Sequence, residues 1–402
     1  MQRKAFGLSI LLFFITLSSG TLTAREIDHY GRVELNTSIE ESGKATDLSA
    51  GGFIDANHRL SLTDADFYLH HEVEVDTEDE IDYVLHEAYL VLYPYWGNLT
   101  FGRHRIPWGT GIFFSPTDAI HPVSLSGEAE TGFDGLSGTF VSPNGISLTA
   151  ALSVSPALDF AEAAEETDEP QAEDLAARLR PAASVSGYIG TLEWRTSLVY
   201  QLYKVFRPGI SLSADLAGYI LSLEGAIEMH NSLEYLPGTE DPELWDRYPI
   251  WAAGMEKSWF GFSDTFTIVG EYLSDSRGYD AEEADLFYTA LAGTGYTETE
   301  SAVETPALGR QYLNVSAEYS HDNTIFTEHG LYMNLQDSSG AVVHSLTYTL
   351  SSGIDFILRG TWTFGDSDGS EFGLYSSIAG NNEVIPSELS EYTVTARIVL
   401  HL

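Results

Sequence analysis

Residues 391–402, EYTVTARIVLHL, alternate between apolar and polar side chains over the length of one strand. One side of the alternation is apolar and contains Tyr392, Val394, Ala396, Ile398, Leu400 and Leu402. The other side contains Thr393, Thr395, Arg397 and His401, with Val399 as the exception. Because successive side chains of a strand point to opposite faces, this segment predicts a β-strand with one apolar face and one polar face.

The same alternation recurs along the chain, in residues 67–75, 146–154, 192–202, 313–320 and 354–364. Tight turns and longer, mostly acidic connections alternate between these segments. A series of such segments of about 10 residues, joined in this way, is typical of outer-membrane barrels. The sequence therefore predicts one all-β domain, an antiparallel up-and-down transmembrane β-barrel. Its expected strand number is about 18, within a range of about 16 to 20.

The first 24 residues have the pattern of a secretory signal peptide. Arg3 and Lys4 precede an apolar run that ends at Leu17, and small residues follow it. We expect residues 1–24 to be removed on export and residues 25–402 to form the barrel. The predicted location is the outer membrane of a Gram-negative, diderm bacterium, with outer-membrane lipid around the wall.

Composition excludes several kinds of partner. The chain has 60 acidic and 19 basic residues, so its net charge of −41 disfavours nucleic acid. It has no cysteine, which excludes disulfides and thiolate metal sites. The histidines lack a recognisable ligand spacing, so we expect neither a dedicated metal site nor a cofactor. Divalent cations are expected to bind loosely at the acidic loops.

Residues 102–122, GRHRIPWGTGIFFSPTDAIHP, interrupt the strand pattern with three prolines and several glycines. Trp108, Phe113 and Phe114 make this loop too apolar to be fully solvated. We therefore expect it to fold into the barrel as a constriction, with these aromatic side chains against the wall. Arg103, Arg105 and Asp118 would set the electric field at the narrowest point. Alternatively, the two arginines only pin the loop through its carbonyl groups.

The loop also carries a sequence resemblance. Gly102, Arg105, Trp108, Gly109 and Gly111, followed by the segment SPTD at residues 115–118, resemble a porin-like outer-membrane family. Its members carry G-x-x-R-x-x-W-G-x-G and then N-P-T-D near a third surface loop, and Ser115 replaces the asparagine here. The resemblance implies a β-barrel of porin type, but it does not imply a particular solute.

Charged residues within the predicted strands lie opposite the apolar positions. An arginine on the lipid face near the bilayer midplane costs about 2–4 kcal/mol, so such residues are expected to face the lumen. A lining of this kind would shape ion passage, although individual pairs could instead brace the wall. The expected lumen-lining residues are Arg32, Arg59, Glu72, Arg195, Arg359 and Arg397.

These features predict a porin-like channel for passive diffusion of small polar solutes or ions. A plugged barrel that serves as an adhesin, a receptor or an envelope anchor is the main alternative. An outer-membrane enzyme has less support, because the sequence lacks a G-x-S-x-G elbow, an H-E-x-x-H segment and a phosphate loop. A conduit for apolar compounds is disfavoured by the polar inward positions. A homotrimer is left open, because an interface between copies and a lipid-facing surface would both be apolar.

Overall fold

The computed structural model describes residues 26–42, 45–76, 81–106, 108–111, 113–117, 132–154, 179–201, 205–229, 247–278, 309–351, 353–365 and 392–401. Within these ranges the chain forms eighteen β-strands and the turns that join them. The strands are β1 (Glu26–Ser42), β2 (Ala45–Ser61), β3 (Ala65–Asp76), β4 (Ile81–Leu92), β5 (Gly97–His104), β6 (Phe133–Val141), β7 (Ser147–Val154), β8 (Leu179–Ile189), β9 (Leu192–Gln201), β10 (Val205–Leu216), β11 (Tyr219–Met229), β12 (Arg247–Phe260), β13 (Asp264–Asp275), β14 (Gln311–His321), β15 (Ile325–Asn334), β16 (Gly340–Ser351), β17 (Ile354–Phe364) and β18 (Tyr392–His401).

All of these strands belong to one antiparallel sheet that closes on itself. Each strand pairs with its sequence neighbours, and β1 pairs with both β2 and β18. Closure gives the backbone N–H and C=O groups of every strand a partner on both sides, which a wall in hydrocarbon requires. The predicted antiparallel up-and-down barrel of about 18 strands is thereby confirmed.

Two further sequence expectations concern the signal peptide and the first connection. The proposed signal peptide, residues 1–24, lies outside the described residues. The first long connection, expected over residues 41–48, is shorter than that, since β1 continues to Ser42 and β2 begins at Ala45. No helix in the ranges given above is long and apolar enough to cross a membrane.

Tight turns join the strands at the end of the barrel where the described chain begins and ends. In the described residues they include 62–64, 93–96, 142–146, 190–191, 217–218, 261–263, 322–324 and 353. In one of them, Ala217 and Gly218 have φ values of 57° and 77°. This is the left-handed conformation of the turn type that matches the twist of paired strands. We refer to this end as the tight-turn end and to the opposite end as the long-loop end.

The two faces of the wall differ in chemistry. Large apolar side chains are exposed on the outer face, including Leu223 on β11 and Leu358 on β17, each 50% exposed. The inner face carries the polar positions, and the connection between β5 and β6 packs against it. Along β18, Ile398 faces outward, whereas Val399 faces inward and is 3% exposed. The strand registers place all six residues expected to line the lumen on the inner face.

Adjacent residues on β16 test this assignment of the two faces. Leu346 faces outward, whereas Ser345 faces inward, opposite Glu328. Leu346→Arg should lower the free energy of unfolding from phospholipid vesicles by about 2–4 kcal/mol, since the guanidinium would enter hydrocarbon. Ser345→Arg should lower it much less, because the new guanidinium would stay on the inner face, where Ser345 lies directly opposite Glu328 and Arg359. Denaturant titration followed by tryptophan fluorescence measures both values, and equal losses would contradict the assignment.

Candidate functional site

The described residues of the connection between β5 and β6 enter the barrel, where residues 108–111 and 113–117 lie against its inner face. Trp108 is 1% exposed and packs against Phe133, Ala151, Ala182 and Val199, which belong to β6, β7, β8 and β9. One end of this segment is therefore fixed to the β6–β9 side of the lumen.

The other end packs farther around the wall. Phe114 is buried, and Phe113 lies beside it. Their wall contacts form a cluster that contains Ile250, Ala252, Leu273, Tyr312 and Tyr332, from β12 to β15. Between Trp108 and Phe114 the loop thus extends from the β6–β9 side to the β12–β15 side. The three aromatic side chains expected to pack against the wall are brought to it, but in two separate clusters.

A buried carboxylate holds the middle of the loop. Glu224, on β11, is 1% exposed. Its Oε1 atom accepts hydrogen bonds from the backbone N–H groups of Thr110 and Gly111, the second at 2.5 Å. Its Oε2 atom accepts from Ser115 Oγ at 3.2 Å and from Thr117 Oγ1 at 3.0 Å. One side chain therefore fixes residues on both sides of the bend in the loop.

A second buried carboxylate holds the aromatic end. Glu271, on β13, is also 1% exposed. Its Oε2 atom accepts hydrogen bonds from the backbone N–H groups of Phe113 and Phe114, both at 2.7 Å. Because hydrogen bonds to a charged group contribute about 1.5–3 kcal/mol, the two glutamates are the principal polar anchors of the loop.

An arginine network supports the same loop from β10. Arg207 Nη2 donates to the carbonyl oxygen of Pro116 at 2.5 Å, and Arg207 Nη1 lies 3.4 Å from Glu228. Glu228 also pairs with Arg277 at 3.1 Å, and Arg277 pairs with Asp275. Burial disfavours the charged form of Arg277, but the two carboxylates hold its pKa above the usual range. The loop is therefore coupled to charged groups near the long-loop end.

Steric contacts explain why glycine occupies positions 109 and 111 of the loop. A Cβ atom on Gly109 would collide with Ser115 Oγ and crowd the Glu224 carboxylate. A Cβ atom on Gly111 would collide with the carbonyl oxygen of Phe114. Both positions require a backbone that approaches its neighbours closely. Gly109, Gly111 and Ser115, three of the residues that carry the resemblance to the porin-like family, thus lie beside Glu224.

The structure corrects the expectation for Arg103. The registers of β4, β5 and β6 place it on the outer face, on the same side as Phe101 and Leu136. Its Nη2 atom lies 2.7 Å from Asp134 Oδ2, and its Nη1 atom donates to the carbonyl oxygen of Leu85. Arg103 therefore neither faces the constriction nor pins the loop.

Arg105 and Asp118 are the other two charged residues expected at the constriction. Arg105 is exposed and acts electrostatically on His86, which lies beside His70 and Glu72 on the inner face. Asp118 lies outside the described residues.

The charge of the lumen differs between its sides. On the side formed by β18 and β1–β3, basic residues are paired with acids. These pairs are Arg32–Asp55 at 3.1 Å, Arg59–Asp66 at 2.7 Å and Arg397–Glu34 at 2.9 Å. Elsewhere on the inner face, Arg195 lies 3.7 Å from Glu193.

Carboxylates predominate on β12–β15. Glu318 and Glu328 are direct cross-strand neighbours, and Glu256 is close enough to act on Glu318 electrostatically. Within the described residues none of the three forms an ion pair with a basic side chain. This side of the lumen therefore carries unneutralised negative charge. Across the same part of the chain, no group of three or more His, Cys, Asp or Glu residues could hold a metal ion.

The main residues missed by sequence reasoning are the loop anchors Glu271 and Arg207. No sequence pattern linked Glu224 to the loop either. Glu224 and Glu271 follow the loop by more than a hundred residues, so no local spacing links them to it. The sequence did contain one signal. A glycine-containing loop exposes backbone N–H groups, and glutamates on the inner face of the strands can accept hydrogen bonds from them.

No family model and no curated protein matches the sequence. Solved structures from Pseudomonas aeruginosa do share the fold. OccK2 (OpdF) has 12% sequence identity and a TM-score of 0.56, over 94% of this chain and 99% of that chain. OccK8 (OprE) has 8% identity and a TM-score of 0.54, over 94% and 98%. The outer membrane protein OprD has 10% identity and a TM-score of 0.51, over 96% and 97%. At these identities the likeness shows a common fold.

Amide hydrogen exchange tests the two anchors separately. Glu224→Gln should accelerate exchange at Thr110 and Gly111, because a neutral acceptor holds these N–H groups less strongly. Glu271→Gln should do so at Phe113 and Phe114. We expect about tenfold or more at the affected amides, as the loss of one charged hydrogen bond implies.

Glu34→Gln is the matched control, since Glu34 is equally buried but pairs with Arg397 away from the loop. It should leave exchange in the loop unchanged. Unchanged loop exchange in both anchor variants would show that the glutamates do not hold the loop.

Proposed function

We propose that this protein is an outer-membrane channel through which small polar solutes or ions diffuse passively. The observation that carries the proposal is a closed wall, apolar outside and charged inside, with an ordered loop bound across its interior. A lumen lined by ion pairs and carboxylates favours water and polar solutes over apolar compounds.

The proposed orientation follows from the connections. In outer-membrane barrels the short turns face the periplasm and the longer loops face the outside. The tight-turn end would then be periplasmic, and the acidic loops would face the medium. Solved structures with the same fold include the outer membrane protein OprD, which supports this location. The segment at residues 102–118 supports membership of the porin-like family that it resembles.

We assign the constriction to the loop residues 108–111 and 113–117. Glu224 and Glu271 would act as positioning residues, because they fix the loop without needing to contact the solute. The unneutralised glutamates at Glu256, Glu318 and Glu328 would favour cations on their side of the lumen. The net charge of −41 would also enrich cations at the mouth of the barrel. Arg105 would contribute positive charge near His86.

The similar structures support the solute class but do not fix a solute. OccK2 (OpdF) has been solved in complex with glucuronate, a small polar molecule. A plugged, non-conducting barrel is the second candidate, and the loop across the lumen is the observation that favours it.

Planar-bilayer recordings separate these two functions. The channel proposal predicts discrete conductance steps from the purified wild-type protein, with a reversal potential in a salt gradient that reports cation preference. Protein that is inserted but gives no steps would contradict the channel and support the plugged barrel.

The contribution of the glutamates is tested by Glu318→Gln. This change should shift the reversal potential towards that of a nonselective pore, because it removes negative charge from the lumen. Asp264→Asn is the matched control, since Asp264 lies on the outer face beside His321 at the tight-turn end. It should leave the reversal potential unchanged, and equal shifts would contradict the assignment of charge to the lumen.

A further inference from the structure

The far end of the constriction loop is held by strands that are distant from its own roots. We refer to residues 108–111 and 113–117 as the constriction loop. The loop leaves β5 and returns to β6, and Trp108 fixes its first part to the β6–β9 side. Pro116 is held instead by Arg207 on β10, whose Nη2 atom donates to the Pro116 carbonyl oxygen at 2.5 Å. The position of this end is therefore set by residues outside β5 and β6.

Arg207 belongs to a buried group of four charged residues, which we call the ion network. Its Nη1 atom lies 3.4 Å from Glu228 Oε2, and Arg277 Nη1 lies 3.1 Å from the same oxygen atom. Arg277 also donates to Asp275, from Nε to Oδ1 at 2.9 Å and from Nη2 to Oδ2 at 2.5 Å. None of the four side chains is more than 14% exposed. Two arginines and two carboxylates leave the network electrically neutral.

The ion network reaches the neck of the connection between β13 and β14. The neck consists of residues 275–278 and 309–310. Asp275 is the last residue of β13, and its backbone N–H group donates to the carbonyl oxygen of Arg310 at 2.8 Å. A Cβ atom on Gly278 would collide with the carbonyl oxygen of Gly309. The two sides of the neck are therefore bound to each other at close range.

A second route joins the same neck to the loop. The backbone N–H group of Gly309 donates to the hydroxyl oxygen of Tyr312 at 2.5 Å. Tyr312, on β14, is buried, and its ring centroid lies 6.4 Å from that of Phe114. Tyr332, on β15, packs against both rings, at 5.5 Å and 5.8 Å. The neck therefore contacts the loop by an ionic route that ends at Pro116 and by an aromatic route that ends at Phe114.

Stability alone does not account for the ion network. Desolvation offsets most of the attraction within a buried ion pair, and apolar side chains of similar volume often stabilise a protein equally well. Apolar side chains, however, do not fix a direction. The planar guanidinium of Arg277 has donors on different edges, so it holds Glu228 and Asp275 in one arrangement. A buried network of this kind specifies position.

We infer that Asp275 and Arg277 are positioning residues for the constriction. They hold Glu228 and Arg207, and Arg207 holds Pro116, so the neck determines where the far end of the loop lies. The inference rests on the proposed function, because a constriction matters only if the lumen conducts. A displacement of the neck would reach the loop through contacts that are all within hydrogen-bonding or ion-pair distance. The long-loop end of β13 and the constriction therefore act as one unit.

A double-mutant cycle with Asp275→Asn and Arg207→Met tests the ionic route. Each single variant should accelerate amide hydrogen exchange at Thr117 by about fivefold or more, since Pro116 loses its support. The double variant should exchange no faster than Arg207→Met alone, because Asp275 acts through Arg207. The two charges that remain in the double variant are of opposite sign, so the network stays balanced and the barrel should fold. Exchange within β13 should change little.

Glu34→Gln/Arg397→Met is the matched control. This pair, at 2.9 Å, also joins a buried carboxylate to an arginine on the inner face, but it lies on β1 and β18, away from the loop. It should leave exchange at Thr117 unchanged. The inference is overturned by unchanged exchange at Thr117 in Asp275→Asn and Arg207→Met, by effects that multiply in the double variant, or by equal acceleration in the control or throughout β13.

Single-channel recordings extend the test to the constriction. In Asp275→Asn the open-channel current should fluctuate more than in the wild type, because the loop end moves more freely, whereas the control variant should fluctuate as the wild type does. Faster exchange at Thr117 with unchanged fluctuations would refute a role in positioning the constriction. Hydrogen exchange does not require conduction. A wild type without conductance steps would therefore contradict the proposed function, while the exchange result would still decide whether Asp275 positions the loop.

Discussion

Pairing between β1 and β18 is the constraint on which the rest of the structure depends. A sheet in hydrocarbon has no water to satisfy its edge N–H and C=O groups, so the strands must close into a ring. Closure creates an inside and an outside, and the side chains of each strand then alternate between them. Val394 and Ile398 on β18 lie on the outside, whereas Thr395, Arg397 and Val399 lie on the inside. The polar interior is thus a consequence of closing an alternating wall.

An irregular loop inside such a wall meets the same requirement. The described residues of this loop, 108–111 and 113–117, are outside the strands, and Glu224 and Glu271 are buried carboxylates that accept hydrogen bonds from its amide groups. The loop amides and the carboxylates satisfy each other's hydrogen bonds, because the N–H groups stabilise carboxylates that would otherwise be costly to bury. The loop therefore has a defined path across the lumen, with Trp108 and Phe114 fixing its ends by apolar packing.

Sequence patterns predicted the parts of this architecture that depend on local order. The alternation of apolar and polar residues was sufficient for the strands and for the inward direction of Arg32, Arg195 and Arg359. The alternation of tight turns with longer connections was evident in the same way. Patterns of this kind depend only on neighbours within one strand or one hairpin.

The predictions that failed depend on contacts between residues far apart in the sequence, which local patterns do not contain. Arg103 was expected beside the constriction because it precedes the loop, yet β5 extends to His104 and its register with β4 and β6 turns Arg103 outward. The alternation of Arg103 with Leu99 and Phe101 is consistent with an outward Arg103, but this short pattern alone does not determine which face it occupies. Likewise, the anchoring of Phe113 by Glu271 joins residues 158 positions apart. Only the closed fold brings them together.

The most direct test of the account is the reactivity of single cysteines placed at each position from Ala341 to Leu350 on β16, in proteoliposomes. A charged, water-soluble thiol reagent should label the inward positions Ala341, Val343, Ser345, Thr347 and Thr349. It should fail to label the outward positions Val342, His344, Leu346, Tyr348 and Leu350, which lipid would cover. Labelling at every position, or at a continuous block of positions, would contradict a wall that separates lipid from a polar lumen.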